Sequence, residues 1–171
     1  MVHRRTDEII TLSELRSVLS YDRSTGTFVW IKAVAAAIKV GSIAGSINNR
    51  GRRIIQIRGR LYTASRLAWL YSHGEWPQFQ IDHENLVRSD DRLDNLRPAT
   101  SAQNARNRRT RKDNTSGHKG VHWHTQTRKW IARAVVNGER KHLGLFSSLD
   151  DAIKAYRAAA IEHYGEFARF D

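Results

Sequence analysis

The chain contains no cysteine, which excludes disulfide bridges and thiolate-bound zinc. Only two prolines occur among 171 residues and 40% of the chain is hydrophobic, a balance that belongs to folded rather than disordered protein. No hydrophobic run approaches the ~20 positions a membrane-spanning helix needs, and the opening Met1-Val-His-Arg-Arg-Thr-Asp-Glu8 has no apolar signal core. These absences point to a soluble, intracellular protein, expected in the cytoplasm of a bacterial host cell. Acidic residues are scarce as well: 17 stand against 29 Lys and Arg, giving a formal charge of +12 and a pI of about 10.7. Such an excess repels itself in the folded state and implies a polyanionic partner. Nucleic acid is the leading candidate, because no long amphipathic basic helix supports a membrane surface. The length allows one domain or two small ones.

Local patterns divide the chain. Thr11-Leu-Ser-Glu14 is a capping-box pattern ahead of Leu12, Leu15, Val18 and Leu19, which predicts a short helix. Asp22-Arg-Ser-Thr-Gly26 reads as a turn into a strand over Thr27–Ile31, and residues 33–46 give no clear assignment. Asn48-Asn-Arg-Gly51 is a turn before the strand Arg53–Ile57, and Arg58-Gly59 is a tight hairpin back through Leu61–Thr63. Leu67, Leu70 and Tyr71 recur at helical spacing over 64–73, with Gly74 at the C′ position. Phe79–Ile81 is a short strand running up to Asp82-His83, followed by a polar loop to Asp94 and a second extended piece, Leu96–Pro98. Thr100 or Ser101 caps a helix through Asn104 and Asn107. A basic, turn-rich boundary spans 106–117. Beyond it, Gly120–His124, Lys129–Val136 and Arg140–Gly144 read as strands, with Asn137-Gly138 as a hairpin turn. Leu149–His163 is a helix, capped by Ser147 or Ser148, with Ala152, Ala155, Tyr156, Ala159 and Ala160 on one face.

The loop between the two central extended pieces carries residues suited to phosphodiester hydrolysis. That reaction needs a base to activate water and a cation to offset charge on the phosphate and the leaving 3′ oxygen. His83 is suited to be the base, since imidazole titrates near pH ~6.5. Asp82 offers a hard anionic oxygen and Asn104 a neutral amide oxygen, a pair that suits Mg²⁺ (or Mn²⁺) while leaving positions for phosphate and water. Asn95 is suited to holding the His83 segment by hydrogen bonds. Adjacent residues on a regular strand point to opposite faces, so Asp82 and His83 share a site only if the strand ends or bends between them. Glu84 beside them is expected to face solvent, and Asp90, Asp91 and Asp94 to form a solvated loop.

The joint pattern Asp82-His83, Asp94-Asn95-Leu96-Arg97 and Gln103-Asn104-Ala-Arg-Asn107 resembles the HNH endonucleases of phages and mobile introns. Upstream, Tyr21–Trp30, Gly45-Ser-Ile-Asn48 and Arg60–Trp69 are similar to the segment that precedes the HNH core in such phage proteins. The resemblance implies a divalent metal held at Asp82 and Asn104, His83 as general base and Asn95 as the residue that orients the loop. An apolar residue is common where Glu84 stands. The implied fold is α+β. It comprises an upstream α/β accessory segment (1–76), a ββα-metal HNH core (77–110), a basic linker (111–117) and a C-terminal three-stranded antiparallel sheet packed on one helix (118–171).

That last segment resembles the APETALA/ethylene-response-factor type of DNA-binding domain, through Gly120-Val, Lys129-Trp-Ile-Ala, Leu143-Gly-Leu-Phe146 and Asp151–Ala160. Alternation turns Trp130, Ala132 and Ala134 toward the helix and Ile131, Arg133 and Val135 outward. The resemblance implies DNA contacts from Lys119, His122, His124, Arg133, Arg140 and His142, of which Arg133 and Arg140 are the candidates for guanine. Several of these are arginine or tryptophan in plant members, so no target sequence carries over. The lesser reading of His122, His124 and His142 is a zinc site. The basic run Arg106, Arg108, Arg109, Arg111 and Lys112 is expected to meet phosphates. The sequence therefore reads as a metal-dependent endonuclease acting on double-stranded DNA, phage-borne or homing-type. The competing reading is a DNA-binding regulator with an inert nuclease core.

Overall fold

A computed structural model describes residues 10–110 and 113–170. They form a mixed α/β structure of four α-helices and several small antiparallel sheets, in two compact units. One unit ends at Ala99 and the other begins at Thr100. No helix of the described residues is long and apolar enough to cross a membrane.

The first unit opens with helix α1 (Leu12–Val18), where the Thr11 hydroxyl accepts from the Glu14 amide and the Glu14 carboxylate reaches back to the Thr11 amide. Leu19, expected on that helix, instead starts strand β1 (Leu19–Asp22), paired with β2 (Thr27–Trp30). The strand still buries Leu19 completely while its backbone gains Trp30 as a ladder partner. The Asp22 carboxylate caps the turn by accepting from the Ser24 amide at 2.8 Å, and the Gly26 amide closes it on the Asp22 carbonyl at 2.8 Å.

Of residues 33–46, which the sequence does not assign, Ser46 opens the next strand, and the rest have no helix or strand of their own. The Trp30 and Ala44 amides donate to the Ser42 and Phe28 carbonyls at 3.0 and 2.8 Å. Strands β3 (Ser46–Ile47), β4 (Arg53–Ile57) and β5 (Arg60–Thr63) form one sheet in that order. Helix α2 (Ala64–His73) follows and ends on Gly74, whose amide returns to Leu70.

Strand β6 (Gln80–His83) pairs with β7 (Leu96–Ala99). Ile81 and Leu96 of this pair lie in the same hydrophobic core as Leu15, Phe28, Ile55 and Leu67. The upstream segment and the two strands are thus one packed body. A 3-10 turn at Leu93–Asn95, absent from the sequence expectation, leads the loop into β7.

The second unit begins with helix α3 (Ser101–Arg106), on which Thr100 and Gln103 form a capping box. Strands β8 (Val121–His124), β9 (Lys129–Val136) and β10 (Glu139–Phe146) make an antiparallel sheet with β9 central. β10 runs longer than expected because a register shift between His142 and Gly144 lets pairing resume down to Phe146. Helix α4 (Leu149–Tyr164) packs on the sheet through Ala152, Tyr156, Ala159 and Ala160 against Val121, Ala132 and Ala134. Ser148 occupies the N-cap, but its side chain makes no capping hydrogen bond. Small side chains on both surfaces allow this close approach.

Candidate active site and nucleic-acid interface

Strand β6 runs through Asp82 and His83, with Asp82 opposite Arg97 and His83 opposite Leu96. Both residues lie in the ladder, and His83 is the last residue of the strand, so the chain leaves β6 directly after it. Both side chains are buried, and each has its own partner. Asp82 Oδ2 accepts from Nε and Nη2 of Arg97 at 3.2 Å each, which fixes the carboxylate from across the ladder. His83 Nε2 lies 3.0 Å from Asp91 Oδ1, with the two side chains 3% and 2% exposed.

Asp91 corrects the expectation of a solvated acidic loop. Its carboxylate is inside the unit, and its carbonyl accepts from the buried Tyr21 hydroxyl at 2.7 Å. Burial, more than any neighbouring charge, pushes the Tyr21 phenol well above its usual range, so it remains a donor. Gly26 seats the upstream hairpin against the same stretch. Its φ is +71°, and a Cβ there would fall 2.3 Å from Arg92 N and 2.5 Å from the Asp91 carbonyl carbon.

The loop between β6 and β7 is closed by Asn95 and Asp90. Asn95 Oδ1 accepts from the Asn85 amide at 3.0 Å, and its Nδ2 donates to the Asp90 carbonyl at 2.7 Å. The Glu84 amide reaches the Asn95 carbonyl at 3.0 Å, while the Glu84 residue is exposed. Asp90 takes a two-pronged contact from Arg92 at 2.8 and 2.7 Å and a further hydrogen bond from Asn85 Nδ2 at 2.7 Å. Arg92 chiefly, with Asn85 assisting, holds the Asp90 carboxyl down at about 2. A depressed folded-state value means that this contribution to stability is present above the ordinary carboxylate range and is lost as pH falls through about 2.

Asn104 belongs to the second unit, on α3, where its amide donates to the Thr100 carbonyl at 2.9 Å. The strand pair of the expected ββα core thus falls in one unit and its helix in the other. A carboxylate oxygen and an amide oxygen are donor types that a hard divalent cation takes.

In the second unit, pairing puts His122, His124, Arg133, Arg140 and His142 on the sheet face opposite α4, with Arg133 directly across from His142. Arg133, Arg140 and His142 are exposed. Ile131 shares that face but is buried, flanked by His122 and Leu145. Partial burial, then the charge of Arg133, lowers the His122 pKa and favours the neutral ring. No group of three His, Asp or Glu side chains among the described residues is placed to hold a metal ion, so the three histidines of this face form no zinc cluster.

Lys119 is not on that face: its ammonium donates to the Arg106 carbonyl at 3.0 Å. The Arg106 guanidinium stacks on the Tyr164 ring at 4.5 Å. Arg108 and Arg109 are exposed, and Arg111 and Lys112 lie outside the described residues.

Sequence reasoning missed Asp91, Arg97 and Tyr21. Arg97 had a signal, since a two-strand register places it opposite Asp82. Asp91 had none, because three carboxylates within Asp90–Asp94 look alike until tertiary packing buries one.

Comparison with known proteins adds three findings. Residues 62–106, from within β5 through α2, β6 and β7 to the end of α3, match a family model described as HNH endonuclease. The chain is 34% identical to Protein 3.8 of Escherichia phage T7 over 103 residues, covering 60% of this chain and 84% of that protein. No solved structure matches the chain.

Proposed function

Because this chain belongs to the family that includes Protein 3.8 of Escherichia phage T7, with an HNH endonuclease segment at residues 62–106, we propose that it hydrolyses phosphodiester bonds in double-stranded DNA. The observation that carries this reading is that the matched segment contains a buried imidazole, His83, held on a carboxylate at the end of a strand. Charge supports it: a formal +12 suits a polyanionic substrate.

In this reading His83 takes the proton from the attacking water. Asp82, oriented by Arg97, and Asn104 would hold Mg²⁺ or Mn²⁺. A divalent cation bound there supplies the positive charge that offsets charge on the phosphate and the departing 3′ oxygen. Asn95 keeps the loop after His83 closed through the Asn85 amide and the Asp90 carbonyl, so its role is positional. The reading is tested with purified protein and duplex DNA. Cleavage should require Mg²⁺ or Mn²⁺ and stop on adding EDTA, whereas cleavage indifferent to the chelator would sink the metal-dependent mechanism.

The C-terminal sheet is the part we assign to DNA recognition, in the manner of an ethylene-response-factor-like domain. Exposed Arg133 and Arg140 share one sheet face with His122, His124 and His142. Arg108, Arg109, Arg111 and Lys112 are assigned to the phosphate backbone; Arg106 and Lys119 serve the packing of their own unit. Arg133→Ala should weaken binding to a preferred duplex by about 1–3 kcal/mol and relax base preference. Arg108→Ala should instead weaken all duplexes alike and flatten the salt dependence by about one unit of slope. Titrations at several salt concentrations on preferred and scrambled duplexes separate the two, and identical behaviour of both variants would contradict the division of labour.

A further inference from the structure

One ring nitrogen of His83 faces a buried carboxylate. An ionised carboxylate only accepts hydrogen bonds. Where Asp91 Oδ1, 3.0 Å from Nε2, accepts from the ring, a neutral imidazole carries its proton on Nε2 and its lone pair on Nδ1. Both side chains are almost fully excluded from solvent, so water does not compete for the contact. Asp91 Oδ2 is buried and has no hydrogen-bond partner among the described residues. That leaves Oδ1 and His83 as the contact through which the carboxylate is satisfied, a strong restraint on both rings and rotamers.

Asp91 is itself held from the far end of the unit. The Tyr21 hydroxyl donates to its carbonyl at 2.7 Å, across 70 positions of sequence. Tyr21 in turn lies against Phe28, with ring centroids 4.7 Å apart, and Gly26 of the same hairpin abuts the Asp91–Arg92 peptide. Hairpin β1–β2 therefore grips the residue that grips His83.

We propose that Asp91 is a positioning residue that fixes the orientation and tautomer of His83, making Nδ1 the basic atom, and that hairpin β1–β2 holds Asp91 in place through Tyr21 and Gly26. This rests on reading His83 as the base of the nuclease. It gives the upstream segment a part in the chemistry, which a detachable accessory would not have.

The test uses the full chain labelled with ¹⁵N and two-bond ¹H–¹⁵N spectra, with the His83 signals assigned by their loss in His83→Gln. Alongside run steady-state cleavage assays with Mg²⁺ and duplex DNA. The wild-type His83 should be the Nε2–H form. In Asp91→Ala the two tautomers should mix, and kcat should fall on the order of 100-fold with KM nearly unchanged. Asp91→Asn, nearly isosteric and still able to accept through its amide oxygen, should recover about tenfold of that loss. Tyr21→Phe should give a smaller fall in kcat of the same kind. A purely structural role predicts something different: a lower melting temperature, an unchanged His83 tautomer, and kcat within about threefold of wild type in whatever fraction remains folded. Either an unchanged tautomer in both Asp91 variants or an undiminished kcat overturns the proposal. If the wild-type chain does not cut DNA at all, the nuclease reading falls, and the spectra still decide whether Asp91 sets the state of His83.

Discussion

His83→Ala should reduce DNA cleavage by about 10²–10⁴-fold, the usual worth of a positioned general base, while leaving affinity for duplex DNA within about twofold. The expectation follows from where the side chain sits. At 3% exposure it has little surface to offer a ligand directly, so its loss removes chemistry rather than binding area. The residues assigned to hold DNA lie on another unit, chiefly Arg133 and Arg140 on the sheet of β8–β10. Truncating a buried ring also strands Asp91, so His83→Gln belongs beside it as a control that keeps volume and a hydrogen-bonding atom. Cleavage under single-turnover conditions and binding measured in EDTA separate the two effects. If affinity collapsed in step with cleavage in both variants, His83 would be structural and the base would have to be sought elsewhere.

Gly26→Ala should destabilise the first unit by about 3–4 kcal/mol, in the tail of single-substitution effects, and lower its melting temperature on the order of 10–20 °C. Two costs combine. A φ of +71° is a conformation in which an L side chain costs about 1–2 kcal/mol. In addition, the new Cβ would meet Arg92 N at 2.3 Å and the Asp91 carbonyl carbon at 2.5 Å, both backbone atoms that move only if the whole loop moves. Gly51→Ala separates the terms, because Gly51 has φ +75° but nothing within 4 Å of its would-be Cβ. Thermal or urea unfolding should show Gly51→Ala losing only the conformational cost. Equal losses at the two positions would mean that the close approach of hairpin to loop constrains nothing. Displacement of Asp91 should also make Gly26→Ala a poorer enzyme at temperatures where it is still folded.

Much of the fold was legible because its signals are local. The Thr11 capping box, the Arg58-Gly59 and Asn137-Gly138 hairpins, and the Gly74 helix end are each written within four or five residues, and the structure has all of them; of Thr100 and Ser101, both fit to cap the next helix, Thr100 does so and adds a capping box with Gln103. The alternation in β9 likewise told which side meets α4, since Ala132 and Ala134 are buried there while Arg133 and Val135 are exposed. Ile131 departs from it: it faces outward and is still buried. What stayed illegible depends on partners distant in sequence. Residues 33–45 draw on β2 as well as on their own turns: the Gly41 and Ala44 amides reach the Trp30 and Phe28 carbonyls, while the Ile38 and Ser42 amides reach Ala35 and Lys39. Leu19 suits either a helix or a strand, and its pairing with Trp30 decides.

The candidate site divides in the same way. Asp82, His83 and Asn95 stand out through their spacing, whereas Arg97 and Asp91 acquire meaning only through strand register and burial. Lys119 and Arg106 look like DNA contacts in a list of basic residues. Their chemistry also suits a helix-end carbonyl and an aromatic face, and those nearby groups engage them. Composition explains why: with 29 Lys and Arg in one chain, some must serve the fold.

Hydrolysis with the 3′ oxygen as leaving group, as proposed for this chain, leaves a defined pair of DNA ends. The most direct measurement is to incubate the purified full chain with supercoiled circular DNA and Mg²⁺, resolve the topological forms, and treat the products with DNA ligase. A hydrolytic nuclease should give nicked or linear DNA whose ends carry a 5′ phosphate and a 3′ hydroxyl, so that ligase reseals them without prior treatment. DNA that stays supercoiled under both Mg²⁺ and Mn²⁺ while still being bound by the protein would contradict hydrolysis by this chain.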